Sequence, residues 1–365
     1  MSTDAVGGVW QFALELARDL ASHGIGTDLV CLGPAPSAEQ RRQADAIPEL
    51  TLHSRPGRLE WMQSPWQELA ELDAWLLTLA ERLRPDVIHL NHYYHGHLNW
   101  PAPLLITAHS CVWSWYRHVK GHLPDNDWQL YLQHVRRGLR SADLVTAPSG
   151  AMLADAEVFY GPFRAARVIA NGRRPEDYPP APKQARIVSA GRLWDEAKNA
   201  AALASIAPEL SWPVEIVGDS KHPDGGQRQY RNVELPGPLA TEALARRFGR
   251  AAIYALPARY EPFGLSVLEA ALAGCALVLG DIPSLREIWG DTALFVPPDD
   301  TRALRDTLQA LIDQPRLRQY YATLARRRAL HFSSARMTAG YLRAYRHLQQ
   351  QSGSPRDLDQ LGSTA

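Results

Sequence analysis

The sequence predicts an α/β protein of two doubly wound domains, each a parallel sheet covered by helices on both faces. Three observations carry that expectation. The chain has 365 residues, too long for one ordinary core and well sized for two. Short β-prone runs alternate with amphipathic helical stretches in two successive series. Between the series, residues 175–183 hold four prolines and no periodicity, as a linker does.

In the first series, residues 1–5 are short and polar, and Val6-Gly7-Gly8-Val9 leads straight into a helix with Phe12, Leu16 and Leu20 on one face. Such a glycine turn normally follows a first, central strand. That strand is expected to be missing or truncated here. Strands are predicted at 27–32, 50–53, 86–90, 104–107, 143–147 and 167–170, with helices near 38–46, 65–83 and 127–140. The second series gives strands at 186–190, 214–217, 233–235, 253–256, 277–279 and 294–296. Residues 301–350 read as helical and basic, with ten arginines against two aspartates. A solvated helix surface accounts for them, and a peripheral membrane contact is the alternative. The tail from Ser352 is polar and is expected to be disordered. No fixed-period repeat is visible.

Composition narrows the classes. An apolar fraction of 45% supports globular packing, and 39 basic residues balance 39 acidic ones, so no nucleic-acid partner is expected. Cys31, Cys111 and Cys275 are scattered, which fits neither a disulfide framework nor a zinc spacing and suits a reducing compartment. No apolar run of about eighteen residues and no basic-then-apolar leader occurs, so a cytoplasmic chain is expected.

The stretch 260–270, Tyr-Glu-Pro-Phe-Gly-Leu-Ser-Val-Leu-Glu-Ala, holds most of the chemistry. A β-prone run feeds a loop, and Gly264 opens a helix with Leu265, Leu268 and Leu272 at helical spacing. Free N–H groups of a first turn, with the positive end of the dipole, suit a phosphate. Side chains lean toward the helix N-terminus, so Glu269 can reach back to a ribose diol, while Glu261 lies on the loop facing the same space. An ordinary amphipathic helix with an acid before it has the same spacing.

Other candidates lie at strand ends. Arg192 and Lys198, in Gly191-Arg-Leu-Trp-Asp-Glu-Ala-Lys-Asn199, can clamp a diphosphate, with Asn199 as a helix cap. A charged loop in which Asp195 and Glu196 neutralise those cations is the competing reading. His109 follows the strand at 104–107, where a near-neutral pKa would permit acid–base work. His89, His92, His95 and His97 fall within nine residues without an accompanying acid, so a metal is not expected there. Trp113, Trp115, Tyr116, Arg117 and Lys120 read as an acceptor loop or as helix packing.

The string Glu-Pro-Phe-Gly-Leu, then Glu269, then Ala-Gly-Cys-Ala-Leu-Val-Leu-Gly, closely resembles the donor-binding signature of retaining GT-B glycosyltransferases of family 4. The resemblance spans nearly the whole chain and is strongest over 186–300. It implies the GT-B fold: two Rossmann-like domains facing across a cleft, at 1–175 and 176–334, with a final helix at about 335–350 returning to the first. It implies transfer of a sugar from a nucleotide diphosphate sugar to a hydroxyl acceptor, either a saccharide, a lipid-linked saccharide or a small molecule. In that reading Arg192, Lys198 and the amides of Phe263, Gly264 and Leu265 bind the diphosphate without metal or other cofactor. Glu269 holds the ribose, Glu261 the sugar hydroxyls and His109 the sugar from the first domain. Gly7 and Gly8 let backbone approach phosphate or acceptor, and Gly237 and Leu239 lie where such enzymes seat the base. Gly218-Asp219 precedes a glycine-rich loop at 222–226 in the family's way. A GT-B nucleotide-sugar epimerase, a phosphorylase and a non-catalytic sugar-nucleotide-binding subunit are the alternatives. A nicotinamide dehydrogenase is disfavoured because Val-Gly-Gly-Val is not a spaced three-glycine fingerprint.

Overall fold

A computed structural model describes residues 1–222 and 225–351. The tail from Ser352 and the centre of the 222–226 loop lie outside the described residues. The chain forms two compact units: residues 1–114, 123–170 and the chain from Ser334 onward make the first, and residues 115–122 and 171–333 the second.

The first unit alternates strands and helices: β1 (Ser2–Asp4), α1 (Gly8–Ser22), β2 (Thr27–Gly33), α2 (Ala38–Asp45), β3 (Leu50–Pro56), α3 (Trp66–Leu83), β4 (Ile88–Leu90) and β5 (Leu104–Thr107). Then come α4 (Val112–Val119), which passes into the second unit after Ser114, α5 (Gln129–Ser141), β6 (Leu144–Ala147), α6 (Gly150–Tyr160) and β7 (Ala166–Val168). All recorded pairings are parallel, in ladders ordered β1-β2-β3 and β4-β5-β6-β7.

The first strand, expected to be missing or truncated, is present as a stub of three residues. Ser2, Thr3 and Asp4 are buried and pair with Val30, Cys31 and Leu32 of β2. Asn91, just past β4, donates its backbone N–H to Ser2 Oγ and its amide to the Ser2 carbonyl. Three polar residues carry no hydropathy signal, yet backbone pairing and two side-chain hydrogen bonds place them inside. The last helix, α13 (Ser334–Gln351), packs Tyr341, Tyr345 and Leu348 against Phe12, Leu16 and Leu105.

The second unit contains β8 (Gln184–Ala190), α7 (Ala200–Ile206), β9 (Val214–Val217), α8 (Thr241–Arg250), β10 (Ala251–Leu256) and α9 (Leu265–Leu272). It continues with β11 (Ala276–Gly280), α10 (Pro283–Trp289), β12 (Leu294–Val296), α11 (Thr301–Asp313) and α12 (Pro315–Ala329). Its parallel sheet is ordered β12-β11-β10-β8-β9. The chain thus turns one way from β8 to β9 and the other way to β10, which makes the carboxyl ends of β8 and β10 the topological switch point. The loop carrying Arg192 leaves one strand there, and the loop carrying Glu261 leaves the other. The strand expected at 233–235 does not form, since Glu234 makes only an isolated bridge to Glu215. Val233 packs against the core of this unit, but Leu235 is exposed and Arg186 pairs with both Glu215 and Glu234.

Gly218, just past β9, has φ +146°, and a β-carbon there would lie 1.7 Å from the Gly191 carbonyl oxygen at the end of β8. The close approach of two strand ends demands glycine. Gly218→Ala is expected to destabilise the second unit by about 2–3 kcal/mol. A thermal unfolding midpoint equal to that of the parent chain would refute this.

Candidate functional site

The geometry begins at the tip of α9. Gly264 is its N-cap residue, with φ 88° and ψ 67°, a left-handed conformation that costs other residues roughly 1–2 kcal/mol. That bend turns the Glu261 carboxylate onto the helix end: Oε1 accepts from the Gly264 N–H at 2.9 Å and more loosely from Phe263 at 3.5 Å. Its Oε2 accepts from Lys198 Nζ at 2.6 Å. A cation and the amides at the helix end therefore converge on one anion, the protein's own carboxylate. Phe263 is buried against Phe332, and Leu265 is only half-buried; Val267, Leu268 and Leu272 form the core-facing side of the helix.

Three further contacts fix this tip. Ser266 Oγ donates to the Ala190 carbonyl at the end of β8, and the Tyr254 hydroxyl bonds both Ser266 and Ala190. Arg326 Nε donates to the Leu272 carbonyl at the other end of α9, a cationic cap on the negative end of the dipole. Glu269 lies one turn inside, with its carboxylate bound at 2.8 Å by the buried Arg173.

The loop after β8 mixes both sequence readings. Arg192 pairs with Asp195 at 2.9 Å and lies over the Trp194 ring, so it is neutralised locally. Lys198 instead goes to Glu261, and Glu196 takes Lys120 and Arg228. Burial pushes the Asp195 carboxyl up, but Arg192, Lys198, the Trp115 indole and the Ala197 N–H outweigh it and hold the pKa below the usual range. Asn199 does not cap α7 with its side chain as expected. It stands at φ 54° and donates to the Pro257 and Pro298 carbonyls, which pins the loop to the ends of β10 and β12.

Residues 113–122 also differ from the acceptor-loop reading. They lie mostly in helix α4, where Trp113 is buried against Phe159. Trp115 Nε1 donates to Asp195 Oδ1 at 2.9 Å, Lys120 binds Glu196, and His118 stacks on Tyr260. Trp115 and Lys120 thus buttress the Asp195–Glu196 loop.

In the first unit, Gly7 caps α1 with φ 99°, and Gly7 and Gly8 are exposed where the Val6 N–H bonds the Asp4 carboxylate. His109 Nε2 lies 2.8 Å from Asn91 Oδ1. Because the Asn91 amide nitrogen is committed to Ser2, its oxygen faces His109, which assigns the proton to Nε2 and leaves Nδ1 an acceptor. Burial lowers the His109 pKa to about 4, with Asp4 raising and His92 lowering it. The expectation of a near-neutral pKa is therefore corrected: at pH 7 this imidazole is uncharged.

The other histidines have separate partners. His89 joins the Thr107 hydroxyl to the Tyr345 hydroxyl at 2.7 Å each, a link within the core of the first unit. His92 faces Ser2, His95 the Leu69 carbonyl and His97 the Tyr94 carbonyl. Acids do accompany them, from distant positions: Asp4 lies 3.5 Å from His92, and Asp73 lies 3.7 Å from both His95 and His97. Among the described residues no three His, Cys, Asp or Glu side chains form a metal-holding group. Gly237 has φ 80° and accepts a bond from the Gly218 N–H, beside half-buried Leu239. Of the basic residues in 301–350, Arg318, Arg326 and Arg328 donate to backbone carbonyls and Arg305 pairs with Glu209 and Asp306. No described helix is long and apolar enough to cross a membrane.

Arg173, Asn91 and Glu60 escaped the sequence reading. Glu60 is buried and accepts the Tyr93 and Tyr94 N–H groups, fixing the turn after β4. Only the three-dimensional contacts single them out, since none sits in a spaced motif.

Comparison with known proteins bears on the class of protein and the fold. Residues 6–177 match the family described as Glycosyltransferase Family 4, and residues 184–314 match Glycosyl transferases group 1. The glycogen synthase of Mycobacterium tuberculosis is 27% identical over 370 residues, covering 88% of this chain and 86% of that one. The D-inositol 3-phosphate glycosyltransferase of Frankia alni is 24% identical, covering 94% and 95%. Among solved structures, sucrose-phosphate synthase from Thermosynechococcus elongatus superposes with a TM-score of 0.76 at 21% identity, covering 94% of each chain. Anabaena HepE in complex with UDP-glucose gives 0.75 at 16% identity, covering 95% of this chain and 100% of that one. The fold is GT-B. The chain is a glycosyltransferase.

The His109 environment generates a pH prediction. Its folded pKa of about 4 lies below the ordinary 6.5, so between those values the unfolded chain binds more protons and stability falls as pH falls. His109→Gln, neutral at every pH, should flatten the fall in unfolding midpoint between pH 6.5 and 4, with the remainder owed to groups such as His95, whose pKa burial lowers to about 3. Superimposable midpoint-versus-pH curves for the two chains would show that His109 is not protected from protonation.

Proposed function

We propose that the chain transfers a sugar from a nucleotide diphosphate sugar to a hydroxyl acceptor, with retention at the anomeric carbon and without a metal, as a family 4 enzyme. The observation that carries this reading is the line from Lys198 through the Glu261 carboxylate to the Gly264 N–H. A group of donors that binds a carboxylate this closely suits a diphosphate, which brings more charge and more acceptor oxygens.

As the glycosidic bond to the leaving diphosphate breaks, negative charge grows on its oxygens. Lys198, Arg192 and the first amides of α9 supply the compensating positive field that a divalent ion provides elsewhere. Binding of diphosphate competes with Glu261 for Lys198 and the Gly264 amide, which frees the Glu261 carboxylate to accept sugar hydroxyls. Glu269 accepts the ribose diol. His109, neutral, with Nδ1 as acceptor, takes a hydrogen bond from a sugar hydroxyl. The glycogen synthase and inositol-phosphate glycosyltransferase relatives favour a saccharide or polyol acceptor, and the UDP-glucose bound to HepE makes uridine donors the first to screen. A non-catalytic subunit, an epimerase and a phosphorylase find no supporting observation in this site.

Lys198→Ala and Arg192→Ala are each expected to lower kcat by about 10² or more. Undiminished turnover in either variant would remove the clamp from the mechanism. Activity should persist in excess EDTA, and a loss restored by added divalent ion would overturn metal independence. The product's anomeric configuration, read by NMR coupling constants, should equal that of the donor; an inverted product would defeat the retaining assignment.

A further inference from the structure

We propose that Arg173 is a positioning residue for Glu269, setting the carboxylate so that the site discriminates ribonucleotide donors from deoxyribonucleotide ones. The inference rests on the reading that Glu269 holds the donor ribose. Glu269 is the fifth residue of α9, among Val267, Leu268, Ala270 and Ala271, which are all fully buried. Its side chain retains only 10% of its accessible surface. Left without a hydrogen-bond partner at such a depth, a carboxylate has nothing to hold its rotamer or the direction of its plane.

Arg173 supplies that hold. Its Nε donates to Glu269 Oε1 at 2.8 Å, and its own side chain is 3% exposed. The backbone beneath it is fixed as well: the Arg173 N–H donates to the Phe332 carbonyl at 3.1 Å, and Arg173 forms a parallel bridge with Ser333. Arg173 thus stands on a paired backbone segment and reaches a partner 96 residues away in sequence. The bond occupies Oε1 and orients the plane of the carboxylate. A ribose presents two adjacent hydroxyls, and a carboxylate accepts both only when that plane is aligned with the diol. Arg173 does not touch the ribose; it acts through Glu269.

The test compares binding of UDP, ADP and GDP with their 2′-deoxy counterparts by calorimetry, in the full chain and in Glu269→Gln, Arg173→Gln and Arg173→Lys variants. For whichever nucleotide binds, the parent chain should prefer the ribo form by about tenfold or more, the worth of a hydrogen bond to a charged group. Glu269→Gln should reduce that preference to near unity. Arg173→Gln should do the same, and Arg173→Lys, which keeps the charge but shifts the donor, should reduce it at least threefold. A structural role alone would weaken both nucleotides together and leave their ratio unchanged. If Glu269→Gln erases the preference while Arg173→Gln keeps it, the positioning role is wrong and the ribose reading stands. If Glu269→Gln keeps the preference, the ribose reading itself fails. Should Arg173→Gln not fold, an unreduced preference in Arg173→Lys overturns the proposal.

Discussion

The contact on which the chemistry proposed for the second unit depends is the one between Lys198, Glu261 and the amide of Gly264. Two loops leave the sheet at the switch point between β8 and β10, and this contact ties them together. The Glu261 carboxylate binds where the helix dipole and an ammonium favour negative charge, so the protein satisfies its own anion site with a side chain. Under the proposed function, a ligand phosphate entering there would replace one anion by another, so the electrostatic environment would not have to be rebuilt when the donor binds, which is what preorganisation requires.

That arrangement is useful only if α9 stays in place, and the structure anchors it along its length. The first turn is held to β8 through Ser266, Tyr254 and the Ala190 carbonyl. The middle is held by Arg173, and the last carbonyl by Arg326. The loop bearing Arg192 and Lys198 is fixed with equal care by Asn199, which bonds two carbonyls from separate loops, and by Trp115 on Asp195. Polar contacts of this kind fix direction as well as distance, whereas apolar packing fills space and leaves orientation looser. The arginines around α9 are therefore part of the site's framework although none lies in a recognisable motif.

How much of this was legible beforehand follows from the range of each interaction. Strand and helix patterns were readable wherever apolar periodicity was strong, as in β10 and α9, because hydropathy reports burial directly. Gly264 and Glu261 were readable because three residues of local chain geometry bring them together. Ser2, Thr3 and Asp4 were not, because their burial rests on ladder bonds and on Asn91, which hydropathy does not register. Residues 233–235 misled in the opposite direction: Val233 packs on the core, but the segment pairs with β9 through a single bridge. Arg173 was invisible for a simpler reason: its partner lies 96 residues away, and no spacing rule spans that distance. Asn199 had the composition of a helix cap, but two carbonyls from other loops outcompeted the local N–H groups for its side chain.

Lysines and the histidines kept neutral by burial are distributed unevenly between the two units. All four lysines, Lys120, Lys183, Lys198 and Lys221, belong to the second unit, which carries the proposed diphosphate clamp. At the strand ends of the first unit, burial keeps His109 and His95 uncharged. Breaking a glycosidic bond leaves negative charge on the departing phosphate and positive charge on the anomeric carbon. Cations stabilise the first and oppose the second. An imidazolium beside the sugar would raise the barrier, whereas a neutral ring whose Nε2 proton is committed to Asn91 offers Nδ1 as an acceptor and adds no opposing charge. Under the proposed reaction, a neutral His109 would thus add no charge that opposes the transition state, and Asn91, itself oriented by the first strand, holds its Nε2 proton.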